Sequence, residues 1–171
     1  MSLNLVESTM SEAWSHDLPP IGFTINRTGT AMNVRRFPEP ECYLKLSRPP
    51  QGALEFSVYS FKGSSLDYEN LDHHLMKRFE NGYARQVVLG KRIYIELAGV
   101  SRLARIFRIG SGLSQKVCFS CLIPSPDGGP YGLMLVYGRY SRTQKLPSAI
   151  HRIIDTDLHT LLESFIVYGA R

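Results

Sequence analysis

The sequence predicts an α+β domain in which an antiparallel β-sheet is flanked by two main helices, at about 66–82 and 147–166. Two segments carry apolar residues at helical spacing, and they stand among seven or so segments that alternate apolar and polar residues. Short turns join the strand segments, which implies antiparallel pairing because a parallel crossover needs about a dozen residues. We expect a single domain over 21–171, preceded by a poorly packed arm or leader over 1–20.

The first strands are predicted in two pairs. Residues 22–25 and 31–34 flank a polar connection, which indicates a hairpin. Residues 42–46 and 54–59 are joined by a second turn that contains two prolines and a glycine. Within 54–59 the apolar residues alternate with polar ones, which is the pattern of a sheet with one solvated face.

The segment 66–82 is predicted to be the first helix. Ser64 or Ser65 is suited to cap its N-terminus, and acidic residues in the first turn complement the positive end of the helix dipole. His73 and His74 fall on this helix, but adjacent side chains point about 100° apart and do not readily chelate a metal together. The apolar face of the helix consists of Leu71, Leu75 and Phe79.

The middle of the chain is predicted to return to β-structure. Gly90 and Gly99 separate three further strands. A connection rich in proline and glycine joins 117–123 to 131–137, which indicates a hairpin. The three strands before this hairpin are 85–89, 93–97 and 103–109.

The segment 147–166 is predicted to be the last helix. Pro147 stands where a first-turn proline is tolerated, and the polar side of the segment is acidic. A single apolar stripe of this width predicts that the helix packs against the sheet. The stripe consists of Ile150, Ile153, Ile154, Leu158, Leu161, Leu162 and Phe165.

The net charge of +5 is unevenly distributed along the chain. Residues 85–152 contain 11 basic and two acidic residues, whereas the rest of the chain contains 9 basic and 13 acidic residues. Such asymmetry is typical of a surface that attracts an acidic partner, although solvated strand faces and loops produce it too. The basic residues that interleave with aromatic ones are the candidate partner-binding residues: Arg92, Arg105, Arg108, Lys116, Arg139 and Arg142.

The aromatic residues of the same region permit two interpretations. On an exposed sheet face they would form a platform for stacking nucleic-acid bases. In the core they would lie on one side of the strands, with exposed arginines on the other side. This interpretation is favoured because no RNA-binding signature block is present. The residues are Tyr94, Phe107, Phe119, Tyr131, Tyr137 and Tyr140.

Cys42, Cys118 and Cys121 are an odd number of cysteines, which argues against a disulfide framework. Cys118 and Cys121 have the C-x-x-C spacing of redox proteins, but they fall within a predicted strand. Residues three apart on a strand face opposite sides, so we expect two divergent, buried thiols. A thiol activated by a neighbouring Lys116 is the alternative.

The sequence offers no catalytic residue, metal ligand set or cofactor site that stands out from chance. It contains no glycine-rich dinucleotide loop, phosphate-binding loop, serine nucleophile elbow or zinc protease motif. No apolar run approaches the ~20 residues that span a bilayer. The first 14 residues lack the features of a signal peptide, so we expect a cytoplasmic location.

The order of the predicted elements resembles that of the PsbP-like α/β/α sandwich superfamily, which includes PsbP, a Ran-binding nuclear import factor and DcrB-type proteins. The likeness covers about residues 21–168. It is carried by the helix 66–83, the strands 87–89, 93–97 and 103–109, the hairpin 117–137 and the segment 150–165. The resemblance implies that the protein binds partners, and it implies no catalytic residues.

The leading functional expectation is therefore a non-enzymatic protein-binding module, an adaptor or chaperone-like protein whose partner is acidic. The first alternative is nucleic-acid binding through the basic, aromatic-bearing strands, with Arg105 and Arg108 contacting phosphates. The second alternative is a cryptic thiol enzyme that uses Cys118 or Cys121 as its nucleophile.

Overall fold

A computed structural model describes residues 5–7, 22–35, 42–48, 54–62, 67–81, 86–110, 115–142, 145–149 and 152–168. These residues form ten strands and two helices, in agreement with the predicted α+β class. The order is β1 (Leu5–Glu7), β2 (Phe23–Asn26), β3 (Asn33–Arg35), β4 (Cys42–Arg48), β5 (Leu54–Lys62), α1 (Tyr68–Leu75, continued as a π-helix over Met76–Asn81), β6 (Val87–Leu97), β7 (Val100–Ile109), β8 (Lys116–Pro124), β9 (Tyr131–Tyr140), α2 (Thr156–Ser164) and β10 (Ile166–Val167).

The strands form two antiparallel sheets. The large sheet has seven strands in the order β3-β4-β5-β9-β8-β7-β6, and the small sheet has the order β1-β2-β10. Of the predicted arm 1–20, the described part is β1, which pairs with β2. Neither of the helices has the length and apolar composition of a membrane-spanning helix.

Each face of the large sheet carries its own apolar core, so the sheet is the middle layer of a sandwich. One face, which we call the α1 face, buries Leu71, Leu75 and Phe79 of the first helix, as the sequence predicts. The opposite face, which we call the α2 face, is covered by α2 and by β2 of the small sheet. The rings of Phe23 in β2 and Phe165 after α2 stack with their centroids 5.3 Å apart.

Two of the predicted strand pairings are confirmed. The strand β4 pairs with β5, and Leu46 lies opposite Phe56. The strand β8 pairs with β9 across the predicted turn, and Phe119 lies opposite Tyr137. The predicted break at Gly90 is instead a bulge inside one long strand, β6. Glycine suits this bulge because a Cβ there would lie 2.9 Å from the carbonyl oxygen of Ile106.

The predicted hairpin between 22–25 and 31–34 is wrong. A turn does form, closed by the amide of Thr30 donating to the carbonyl of Arg27 at 3.0 Å. The chain then enters the large sheet, where β3 pairs with β4, while β2 pairs with β1 and β10. The turn therefore joins two sheets, and the two strands that it connects do not pair with each other.

Both helix starts also differ from the prediction. The first helix is capped by Asp67, whose carboxylate accepts a hydrogen bond from the amide of Asn70 at 2.7 Å. The last helix begins after Asp155, and the described residues between Pro147 and Asp155 are not α-helical. Asp155 is extended and accepts from the amide of Leu158 at 2.9 Å, which fixes the start at this residue. After Ser164 the chain becomes extended and enters β10.

Candidate partner-binding surface

The alternation of side chains along β7 places two of the candidate residues on opposite faces of the sheet. Arg105 lies on the α1 face, and Arg108 lies on the α2 face. The pair Arg105 and Arg108 therefore does not form one phosphate-binding surface. This placement removes the geometric basis of the nucleic-acid alternative as the sequence framed it.

Arg105 is occupied by contacts within the molecule. Its Nε and Nη2 atoms donate to the two carboxylate oxygens of Asp72 on α1, at 2.9 and 2.7 Å. Its Nη1 atom donates to the carbonyl of Gly90 at 3.0 Å. Only 12% of the side chain is exposed. Arg105 thus anchors the first helix to the sheet, and a partner could reach it only by breaking these bonds.

Lys116 is also neutralised within the fold. Its Nζ atom is 2.6 Å from a carboxylate oxygen of Glu55 on β5, and the residue is buried. The same atom lies 5.0 Å from the centre of the Tyr140 ring, in the arrangement of a cation–π contact. The ring itself is half exposed. At this position the α1 face offers an aromatic surface to a partner, with the charge of Lys116 already balanced.

Arg92 is exposed on β6, where it lies opposite Arg105 of β7. Its guanidinium carbon lies 4.9 Å from the ring centre of Tyr68 on α1. The Tyr68 hydroxyl donates to the carbonyl of Ile93 at 2.9 Å, and burial together with neighbouring Tyr94 raises the pKa of Tyr68. The cluster keeps the first turn of α1 on the sheet while the charge of Arg92 remains accessible.

The remaining candidates lie at one end of the large sheet. Arg108 on β7 and Arg139 on β9 both lie opposite Val117 of the intervening strand β8. The Nη2 atom of Arg139 donates to the carbonyl of Arg152 at 2.5 Å. This bond places Arg152, which is also exposed, beside Arg139. Arg142 follows the end of β9 and is exposed.

Lys145 belongs to the same end of the sheet. It is exposed and precedes Leu146, whose side chain lies beside Gly90 and Ile106 on the α2 face. We call the five residues together the basic end. It consists of Arg108, Arg139, Arg142, Lys145 and Arg152.

The acidic residues that could neutralise the basic end are few. Between 97 and 154 the sequence has one acidic residue, Asp127. Asp127 lies in the β8–β9 turn, at the other end of strands about 30 Å long. Asp155 and Asp157 stand next to the basic end, but both are bound by Arg48, at 2.8 and 3.4 Å. Among the described residues of this end of the sheet, basic side chains therefore outnumber acidic ones.

Three of the six predicted residues, Arg108, Arg139 and Arg142, lie in the basic end. Arg92, Arg105 and Lys116 lie on the α1 face, and the last two are paired with carboxylates. Sequence reasoning missed Lys145 and Arg152, since it selected basic residues that alternate with aromatic ones. Both residues do belong to the excess of basic over acidic residues that the sequence shows over 85–152.

The aromatic residues of these strands are divided between the core and separate parts of the surface. Phe107, Phe119 and Tyr137 are fully buried, as the core interpretation predicts. Tyr94, Tyr131 and Tyr140 are exposed, but Tyr94 lies on β6, and Tyr131 and Tyr140 lie at opposite ends of β9. These residues do not form a continuous platform on which bases could stack.

The thiols diverge as the sequence predicts. Cys118 lies in the core on the α1 face, and Cys121 lies in the core on the α2 face. All three cysteines are buried, and none of them is in a disulfide. Burial raises the pKa of the Cys121 thiol to about 12, and the nearby Arg102 offsets only part of that effect. A thiol with this pKa is protonated at neutral pH and is a poor nucleophile. Among the described residues, no three of His, Cys, Asp and Glu come together as a metal site.

Comparison with known proteins agrees with this architecture. No family model matches the chain, and no curated protein matches it. The chain is similar to the solution structure of cyanobacterial PsbP (CyanoP) from Synechocystis sp. PCC 6803, with a TM-score of 0.56 and 11% sequence identity. The match covers 98% of this chain and 95% of the other. The chain thus has a PsbP-like fold, as its order of elements predicts.

Proposed function

We propose that the protein is a non-enzymatic protein-binding module, an adaptor or chaperone-like protein, and that its basic end recognises an acidic segment of a partner protein. The observation that carries this proposal is that Arg108, Arg139, Arg142 and Arg152 lie at one end of the large sheet. A cytoplasmic location is part of the proposal.

The chemistry of the basic end suits a protein partner. Arginine is enriched in protein interfaces because its planar guanidinium binds carboxylates at two points and tolerates desolvation. Arg142 and Arg152 are exposed, so a partner can reach their side chains. The Arg139 guanidinium is held beside the Arg152 backbone by its bond to the Arg152 carbonyl.

The choice of a protein over a nucleic acid rests on the surroundings of the charges. Phosphate-backbone binding uses a row of basic residues along a groove, often combined with exposed aromatic rings. Here Arg105 is bound to Asp72, and the central aromatic residues are buried. A local group of arginines without an exposed row of stacking rings favours a partner that presents discrete acidic side chains.

The test is a comparison of captured proteins. Wild-type protein and the variants Arg142→Glu and Arg152→Glu are immobilised and exposed to lysate, and the bound proteins are quantified by mass spectrometry. Lys77→Glu is the matched control, because Lys77 is exposed on the α1 side and lies outside the basic end. We expect one or more proteins to be lost several-fold from both arginine variants and retained by the control. Their capture by wild type should weaken as salt is raised, because surface charges are screened.

A direct binding assay distinguishes the kinds of partner. An acidic glutamate-rich peptide, single-stranded RNA and double-stranded DNA are titrated against the protein at low salt by fluorescence anisotropy. We expect the peptide to bind with an affinity that falls in Arg142→Glu and Arg152→Glu. If only the nucleic acids bind, or if no captured protein depends on either arginine, the proposal is wrong.

A further inference from the structure

The outer edge of β6 is a separate surface from the basic end. This strand is the last in the seven-stranded sheet, and β7 is its neighbour on the inner side. A strand edge exposes backbone amides and carbonyls in a row, and these groups bind another strand readily. Since β6 runs over Val87–Leu97, it is long enough to accept several residues of a second strand.

The turn between β6 and β7 shows which backbone groups face outward. Ala98 and Gly99 form a two-residue loop with φ of 47° and 80°, the type I′ geometry of a tight hairpin. In such a hairpin the flanking pair, Leu97 and Val100, exchanges hydrogen bonds, and bonded and non-bonded pairs alternate from there.

Between the bonded pairs lie residues whose backbone amide and carbonyl groups point away from β7. They are Arg92, Tyr94 and Glu96, opposite Arg105, Leu103 and Ser101. Among the described residues none supplies a hydrogen-bond partner to these outward groups. The edge therefore offers three amides and three carbonyls in alternation.

The side chains at these three positions are exposed on the same side of the strand. Tyr94 is 68% exposed, the highest value among the large apolar and aromatic residues of the described chain. A basic residue precedes it by two positions, and an acidic residue follows it by two. The sequence of side chains along the edge is thus positive, aromatic, negative.

We propose that two copies of this chain pair through the outer edges of β6, antiparallel and centred on Tyr94. In this register Arg92 lies opposite Glu96 of the second copy, Tyr94 lies opposite Tyr94, and Glu96 lies opposite Arg92. Each of the three outward pairs exchanges two backbone hydrogen bonds, so that six bonds join the sheets. The arrangement is a closed twofold dimer, since each copy uses the same strand.

Charge selects this register over its neighbours. Centring the pair on Arg92 would place two arginines opposite each other, and centring it on Glu96 would place two glutamates opposite each other. Like charges directly opposite across strands are destabilising, whereas opposite charges and aromatic pairs are favourable. Lys91 and Arg92 would also discourage pairing with unrelated apolar edges.

The opposite side of the strand is compatible with the same register. There Ile93 lies opposite Ile95 of the second copy, and both are apolar residues that are at least partly buried already. Pairing would extend the core of the α2 face from one sheet into the next. Both sides of the strand thus favour the Tyr94-centred register.

Charge reversal tests this interface, because a second reversal should restore the dimer that the first one weakens. Sedimentation velocity over a range of concentrations should show a dimer of the wild-type chain. Arg92→Glu places two glutamates opposite each other in both pairs, and Glu96→Arg places two arginines there. We expect either change to weaken dimerisation about tenfold or more. The double variant, with both changes, restores opposite charges and should restore the dimer.

Mixing the two single variants provides the decisive result. A copy with Arg92→Glu and a copy with Glu96→Arg are complementary in both pairs, so we expect a heterodimer by native mass spectrometry when neither variant dimerises alone. Lys91→Glu is the matched control, since Lys91 would lie opposite Leu97 of the second copy and takes part in neither charge pair. A wild-type chain that remains monomeric at its highest soluble concentration would overturn the proposal. A dimer that is indifferent to both single changes would also overturn it.

Discussion

The carboxylate of Asp72 on α1 receives two hydrogen bonds from the guanidinium of Arg105 on β7, at 2.9 and 2.7 Å. The two side chains are 18% and 12% exposed, so water screens the pair only weakly. Because the third donor of Arg105 reaches the Gly90 carbonyl, a single side chain connects the helix to two strands. The charge of Arg105 therefore stabilises the contact between α1 and the sheet.

Asp72→Ala should lower the free energy of unfolding by about 3 kcal/mol, because it leaves the arginine partly buried without a counter-charge. Urea denaturation measures this loss. Glu69→Ala, on an exposed position of the same helix, is the control and should cost about 0.5 kcal/mol. The double variant Asp72→Ala with Arg105→Met should lose less than the sum of its parts. Equal losses for the two single acidic variants would contradict the anchoring role.

Gly132→Ala should destabilise the protein by about 2 kcal/mol, because the site has no room for a methyl group. A Cβ at Gly132 would lie 2.2 Å from the Phe61 ring and 2.5 Å from the carbonyl oxygen of Ile123. The Phe61 ring covers this glycine from the neighbouring strand, where the two residues are register partners. Thermal unfolding measures the change.

Gly129→Ala is the control for that substitution. Its Cβ would meet only side-chain atoms of Asp127 and Ser125, at 3.2 Å or more, in an exposed turn. We expect a change within about 0.5 kcal/mol. If Gly132→Ala unfolds at the same temperature as this control, the close packing between β5 and β9 is not a constraint on the fold.

Local patterns in the sequence predict the fold well where the pairing is local. The β4–β5 and β8–β9 hairpins follow from period-two alternation and from turn residues. The strand β3 could not be placed in this way, because its partner β4 belongs to a different sheet from β2. Likewise Ile153 extends the helical apolar stripe of α2, yet it is buried from a turn that precedes the N-cap Asp155.

The candidate surface is harder to predict than the fold. The excess of basic residues over 85–152 is visible in the sequence, but the face on which each residue lies depends on strand register. Arg105 and Arg108 are three residues apart and therefore face opposite sides. The partner that neutralises Arg105 is Asp72, which lies 33 residues earlier on a helix. No pattern of spacing predicts such an ion pair.

Stability should fall as the pH rises above about 9, through the buried thiol of Cys121. Its pKa is about 12 in the folded protein, against 9.0 for an ordinary thiol. Between these values the unfolded chain loses the proton and the folded chain keeps it. The free energy of unfolding then decreases by about 1.4 kcal/mol for each pH unit. Below pH 9 the thiol is protonated in both states and contributes no pH dependence.

Tyr137 acts in the same direction, because burial raises the pKa of its hydroxyl and its unfolded pKa is 10.0. Urea denaturation between pH 8 and pH 11 measures both contributions. Cys121→Ala should flatten the decrease that begins near pH 9, and Tyr137→Phe should flatten the part above pH 10. An unchanged slope in Cys121→Ala would show that this thiol is not the group that titrates.

Asp155 has two roles at the start of α2 that substitution can separate. Its carboxylate accepts a hydrogen bond from the amide of Leu158 at 2.9 Å and also binds Arg48 at 2.8 Å. Asp155→Ala removes both contacts and should cost about 2 kcal/mol of unfolding free energy. Asp155→Asn keeps the cap and removes the charge, and it should cost about 0.5 kcal/mol because Arg48 is 36% exposed and its ion pair is screened.

Chemical denaturation of both Asp155 variants, with the exposed Glu163→Ala as control, measures the difference. Equal losses for the alanine and asparagine variants would mean that the ion pair, rather than the cap, fixes the start of the last helix.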